Sequence, residues 1–226
     1  YATSTDGFLY ALDARSEKLL WDYDAGAEIY SSPAISGDSI YLQSADDTVH
    51  ALSSSTSVGR KVTVTPDNTW SLFRGNLERT GYSSSKAPNT NSTIWITDLN
   101  GAIRSSPAVV YGIVFAGLLD GRFLALEADT GRIVWQFKTG DQIYSSPVVA
   151  DDKVFVGSWD TNVYALDAKK GTLIWQYKTG DRIRSSPIYA EGILYIGSDD
   201  GKLYALDAIK GDVIWAFQTG GQIHSA

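Results

Sequence analysis

The 226 residues carry 43% hydrophobic side chains, enough for one domain with a substantial core. A formal charge of −7 sets the field of the molecule against phosphate backbones and anionic lipid surfaces, which argues against nucleic-acid binding. The absence of Cys removes disulfides, thiolate metal sites and Cys nucleophiles together, and no apolar run approaches the ~18 residues of a membrane helix, so direct membrane insertion is not expected. With no Met at any position, the chain reads as a processed or excised piece of a longer product.

In chain order, short runs rich in Val, Ile, Tyr and Phe alternate with turn chemistry, and no ten-residue helical pattern intervenes. "FLYALDA" leads to Trp21, then "YSSPAI", "SIYLQS" and "TVHALS" follow, and the copy that starts at Ala51 dissolves into "SSSTSVGRK". Residues 58–94 read as an irregular connection, in which Trp70 with Leu72 and Phe73 is expected to dock the segment and Arg74 to cap a turn. The strand at Trp95 then completes the sheet begun by Tyr30 to Leu52. From there the pattern is regular: Trp95, Trp135, Trp175 and Trp215 are forty residues apart, as are Pro107, Pro147 and Pro187, each Pro preceded by two serines. Ser31-Ser32-Pro33 is another copy, and Ser225-Ala226 begins one more.

One unit of about forty residues holds four strands, as in "SSPVVA", "KVFVGS", "NVYALDA" and "LIWQYKTG". A lone four-stranded sheet cannot bury both faces, so the copies must stack, and radial stacking is the usual solution. The second hairpin of each copy carries Asp6, Asp46, Asp120, Asp160 or Asp200, three of them followed by Gly. Such a pair suits a two-residue type I′ turn with positive φ at both positions. Turn-making outweighs a calcium site for these acids.

Each unit also carries A-x-D-x-x-x-G-x-x-x-W, as at Ala165, Asp167, Gly171 and Trp175, and again at Ala205, Asp207, Gly211 and Trp215. This resembles the tryptophan-docking motif of the quinoprotein-type (PQQ-like) propeller repeat, a family that includes the pyrroloquinoline quinone dehydrogenases and the outer-membrane assembly lipoprotein BamB. The resemblance covers roughly residues 1–57 and 95–226, with Glu127 in place of Asp in one copy and Glu17 in place of Gly in another. It implies an all-β fold, a β-propeller of four-stranded antiparallel blades like those of WD40 proteins, with about five blades here. Trp21, Trp95, Trp135, Trp175 and Trp215 are then the structural docking residues. By family resemblance alone, the location is extracytoplasmic: periplasmic, cell-surface or secreted.

The phase of the copies admits two arrangements. Residues 1–226 form a single propeller, closed by joining the partial copies at Tyr1 and Ala226 and interrupted by 58–94; alternatively the chain is a window across two consecutive propellers with a boundary near 60–70. The closed ring is preferred, because innermost strands would otherwise expose long unpaired edges.

Constant positions are explained by stacking, so function is sought where the copies differ. The residue before each Ser-Ser pair varies as Tyr30, Arg104, Tyr144, Arg184 and His224, and the first strand of a propeller blade lines the central channel. These five are therefore expected near one mouth of the channel, joined by Trp159, Asp160 and Asp199 from the second hairpins. Such a ring suits an anionic or aromatic group or a carboxylate-bearing peptide. The structural alternative has the arginines paired with Asp141 and Asp181 and the tyrosines plugging the channel.

The sequence points first to a non-catalytic scaffold or recognition module that binds protein partners through this loop face. A ligand-sensing ectodomain, or a structural subunit of a surface assembly that self-associates through its cut blade, are the alternatives. The quinone-dependent enzymes of the family use roughly eight blades of ~40 residues, an adjacent Cys pair and a calcium site, none of which appears here, so no cofactor, metal ligand or catalytic residue is assigned. His50 replaces the recurrent Tyr of "YALDA" and reads as a packed strand residue.

Overall fold

The computed structural model describes residues 1–54, 71 and 88–224, and among these every regular element is a β-strand. The strands form five antiparallel sheets laid out in chain order. The first holds β1 (Ala2–Thr3), β2 (Phe8–Leu12) and β3 (Leu19–Asp24), and the second β4 (Ala34–Ser36), β5 (Ser39–Gln43), β6 (Thr48–Ser53) and β7 (Ser92–Asp98). The third holds β8 (Ala108–Val110), β9 (Ile113–Gly117), β10 (Arg122–Glu127) and β11 (Ile133–Lys138). The fourth is β12 (Val148–Ala150), β13 (Lys153–Gly157), β14 (Asn162–Asp167) and β15 (Leu173–Lys178), and the fifth β16 (Ile188–Ala190), β17 (Ile193–Gly197), β18 (Lys202–Asp207) and β19 (Val213–Gln218). β7 pairs with β6 as the repeat phase requires, though it begins at Ser92, inside the stretch expected to be irregular. Trp70, Leu72, Phe73, Arg74 and the expected meeting of Tyr1 with Ala226 fall wholly or partly outside the described residues.

The repeat motif translates into one register. Ala11, Ala51, Ala125, Ala165 and Ala205 each pair with the Trp of the neighbouring strand, and a bulge follows each Ala. The small side chain makes room, and the extra residue twists the strand so that the indole leaves its own sheet. It reaches the next one: the indole nitrogens of Trp95, Trp135 and Trp175 donate to the carbonyls of Ala128, Ala168 and Ala208 at 2.9, 3.1 and 3.2 Å. Gly171 supplies the seat, since a Cβ there would lie 2.5 Å from the Trp135 ring. Its φ of +70° is also one that glycine adopts without strain.

The Ser-Ser pairs hold the inner edge. The first serine bonds its own sheet, as Ser185 does to both backbone groups of Gly197. The second links neighbouring sheets: Ser32, Ser106 and Ser146 donate backbone N–H to Ser106, Ser146 and Ser186 Oγ at 2.9, 2.8 and 3.0 Å. The first strands of the second to fifth sheets therefore sit side by side around an axis, the arrangement of a propeller.

The hairpin turns differ from the expected type I′. Positive φ occurs at Gly7, Gly121 and Gly201 but not at the Asp before them. Gly7 N–H bonds Ser4 C=O while Ser4 N–H bonds Phe8 C=O. This is a three-residue loop, a type I turn closed by one left-handed residue. Asp-Gly satisfies either turn, because Asp also fits the ordinary helical region and caps the loop with its side chain.

Candidate functional site

The loops after the second strand of the second to fifth sheets converge with the segments that precede the Ser-Ser pairs. Backbone bonds fix this convergence: Ala45, Leu119, Trp159 and Asp199 N–H donate to the carbonyls of Glu28, Ala102, Gln142 and Arg182 at 2.8 to 2.9 Å. Each variable side chain is thus presented from a tied loop at one end of the propeller axis.

Five of the expected residues form a continuous chain of contacts along the loops and connections that flank the fourth and fifth sheets. Tyr144 stacks on Trp159 with ring centroids 4.6 Å apart and planes at 16°. The guanidinium carbons of Arg184 and Arg182 lie 4.6 and 4.9 Å from the centroid of the Trp159 ring. Arg184 Nε then donates to Asp199 Oδ2 at 3.0 Å, and His224 Nε2 lies 3.2 Å from Asp199 Oδ1. The Asp199 side chain is 3% exposed, and Oδ1 accepts no hydrogen bond among the described residues. The Trp159 indole N–H is likewise buried and has no acceptor among the described residues. Arg182 joins the cluster unannounced by the sequence, because it stands two places from the ring position in the repeat.

The other two residues form a separate pair. The Arg104 guanidinium lies 3.8 Å above the Tyr30 ring, whose hydroxyl donates to Glu28. Arg104 makes no ion pair among the described residues. The salt-bridged alternative is therefore corrected: Asp141 and Asp181 use Oδ1 to accept the backbone N–H of Gln142 and Arg182, and Arg184 takes Asp199 instead. The loop geometry explains this, because an Asp beside its own turn amide is held before a distant guanidinium can reach it.

Asp160 serves the fold. Its carboxylate accepts from Asn162 N–H, the Tyr164 hydroxyl and Gly140 N–H of the preceding sheet. Asp200 repeats the pattern; burial pushes its carboxyl up, but hydrogen bonds from Tyr204 and the Lys202 and Gly180 amides hold it below the usual range. Burial and the partner Asp push the phenols of Tyr164 and Tyr204 up. Among the described residues no cluster of His, Cys, Asp and Glu could hold a metal ion.

His50 sits in a buried network that spacing alone does not reveal. Its Nε2 lies 2.6 Å from Thr48 Oγ1 and 3.2 Å from Ser44 Oγ, and Nδ1 lies 2.9 Å from the Tyr23 hydroxyl of the first sheet. Both hydroxyls of Ser44 and Thr48 donate to Asp46. This is no nucleophilic triad: the acid orients hydroxyls instead of the imidazole, and Ser44 and His50 are buried away from any substrate. Burial lowers the imidazole's proton affinity, only partly opposed by Asp46. A cavity of about 460 Å³ lies elsewhere, at the outer rim of the first sheet beside Tyr1, Leu12 and Trp21.

The family model described as outer membrane protein assembly factor BamB matches residues 1–89 and 84–222. The chain belongs to this family. The fold is similar to that of BamB from Moraxella catarrhalis, with a TM-score of 0.66 at 16% identity over 98% of this chain and 73% of that one. It is also similar to the quinohemoprotein alcohol dehydrogenase ADHIIG from Pseudomonas putida HK5, with a TM-score of 0.62 at 19% identity over 84% of this chain but 34% of the enzyme. No curated protein matches it. A BamB-like propeller fold supports a protein-interaction scaffold in general terms.

Proposed function

We infer that the chain is a non-catalytic recognition module that binds a protein partner through the propeller mouth, with Trp159 as anchor and Arg184, Arg104, Tyr144, Tyr30 and His224 around it. One observation carries this reading: Trp159 stands where other copies have Thr5, Ala45, Leu119 or Asp199, and its stacked indole has a buried N–H with no acceptor among the described residues. A buried donor without a partner is costly and rare, so an acceptor from outside is the natural complement. Trp, Tyr and Arg are also the side chains that carry most binding energy at protein interfaces. Arg104, flat on Tyr30 and in no ion pair among the described residues, offers a second fork for a partner's acidic or carbonyl groups.

Catalysis by the chemistry of the dehydrogenase relatives is not proposed. The chain has no Cys to supply the adjacent Cys pair that the family resemblance gives those enzymes, and the described side chains at the mouth make cation–aromatic contacts with one another. An extracytoplasmic location follows from the family and is part of the proposal. No helix among the described residues is long and apolar enough to cross a membrane.

A photo-cross-linking amino acid at position 144, compared with one at the rim position 132, tests the reading in extracts of cells that carry the protein. Adducts to another protein from position 144 alone are expected. Adducts from 132 alone, equal labelling from both, or none from either would overturn it.

A further inference from the structure

The connection between the second and third sheets carries Asn100-Gly101, the single Asn-Gly pair in the chain. Asn100 stands where later copies have Gly140, Gly180 and Gly220, and it is exposed, with a left-handed φ of +51°. Its backbone N–H donates to Asp98 Oδ1 at 2.7 Å. Among the described residues, no hydrogen bond holds the Asn100 side-chain amide, and no acceptor takes the Gly101 N–H. An electrophilic amide carbon and a free backbone nitrogen thus stand next to each other in sequence.

Arg122 grips the peptide link between them from its other side. Its Nη2 donates to the carbonyls of Leu99 and Asn100 at 2.9 and 2.8 Å, while Nε donates to Asp120 Oδ2 at 2.6 Å. The Asn100 carbonyl and the Gly101 N–H belong to one resonant peptide unit. A guanidinium on the oxygen therefore stabilises the anion left when the nitrogen loses its proton. Asp120 is the nearest carboxylate and opposes that anion, but it is itself paired with Arg122.

We propose that Asn100 is a self-modification site, converted in the folded protein to aspartate and isoaspartate with Arg122 assisting. Solvent hydroxide takes the Gly101 proton, and the nitrogen attacks Asn100 Cγ. The new N–Cγ bond forms, the Cγ–Nδ2 bond breaks, and Nδ2 takes a proton from water and leaves as ammonia. Water then opens the cyclic imide at either carbonyl. One opening gives aspartate; the other reroutes the main chain through Cγ as isoaspartate. No oxidant, reductant or cofactor enters.

The surroundings turn this chemistry into a structural change. Gly101 is packed so closely that a Cβ would lie 2.6 Å from Arg122 Nη2 and 2.9 Å from Leu118 Cδ2. Isoaspartate adds an atom to the main chain in that space, so the carbonyls of Leu99 and Asn100 move off Arg122. The new carboxylate also adds a like charge beside Asp98 and Asp120. The altered link lies two residues before Ala102, whose carbonyl ties the Leu119 loop to the mouth.

Ageing of the whole chain in mildly alkaline buffer tests the proposal, with peptide mapping by mass spectrometry and an isoaspartate-specific methyltransferase as readouts. Asn100 should convert before Asn162, whose Nδ2 is held by Asp160. Folded Arg122→Gln should convert roughly tenfold more slowly, equivalent to about 1.4 kcal/mol of lost anion stabilisation, and Arg122→Lys should fall between. In urea all three chains should convert at one rate, because the assistance depends on the fold. The urea midpoint of the wild type should fall in step with its isoaspartate content, while Asn100→Gly, the residue of the later copies, holds its midpoint. Asn100 intact in the folded chain while the urea-treated chain converts overturns the proposal. Equal conversion in folded wild type and folded Arg122→Gln does so as well.

Discussion

Trp175 and Trp215 stand at the same repeat position and differ only in whether a neighbouring sheet covers them, so truncating each isolates the energy of docking. Burying a Trp removes about 150–250 Å² from water, worth roughly 4–6 kcal/mol at ~25 cal/mol per Å². Observed truncations of large buried aromatics cost about 3–5 kcal/mol. Trp175→Ala also leaves the Ala208 carbonyl without its 3.2 Å donor, adding about 1 kcal/mol. At 42% exposure, Trp215 has its ring contact among the described residues with Tyr195 of its own sheet, and Trp215→Ala should cost roughly 2 kcal/mol or less. Urea unfolding in dilute protein, followed by circular dichroism, gives both values from the shift in midpoint at constant slope. Equal losses at the two positions would refute the idea that stability resides in the sheet-to-sheet junctions.

Other expectations follow from single residues. Thr161 has φ +77° where three other copies place Gly, and its buried hydroxyl has no partner among the described residues; Thr161→Gly should stabilise by about 1 kcal/mol, measurable as a higher melting temperature. Gln43 buries both amide atoms without a hydrogen bond among the described residues, at a position that is Gly in the next three sheets; Gln43→Leu should not destabilise, and a loss above about 1 kcal/mol would show that the amide is satisfied. The lowered proton affinity of His50 makes the unfolded chain bind its proton first on acidification. Its contribution is thus complete above about pH 6.5 and is lost as pH falls through the depressed folded value. His50→Tyr, which restores the residue of Tyr164 and Tyr204, should flatten the pH–stability curve in that window, and an unchanged slope would remove His50 as the cause.

Much of the fold is legible because a propeller repeats one solution. The phase of Trp21 through Trp215 sets the strand pairs, the sheet order and even the pairing of β7 with β6 across the long connection. The repeat is silent where contacts cross from one copy to the next. A motif identical in every unit cannot say whether Trp135 meets its own Gly131 or the Gly171 of the following sheet, and the structure places it on Gly171. Asp-Gly likewise permits two turns, and only the flanking strand register decides between them. At the mouth, the variable positions were readable as neighbours on one face, but not their partners. Arg184 passes over the nearby Asp181 for Asp199, because Asp181 is already held by the amide of Arg182. Arg182 itself could have been found by asking which residues beside the ring positions also vary in charge between copies.

The central claim is that one set of residues builds the propeller and another recognises a partner. The most direct test measures partner retention and unfolding midpoint together on Trp159→Ala. The partner captured by the wild type should be lost while stability changes by less than about 1 kcal/mol. A partner still held, or a destabilisation as large as that of Trp175→Ala, would contradict the division.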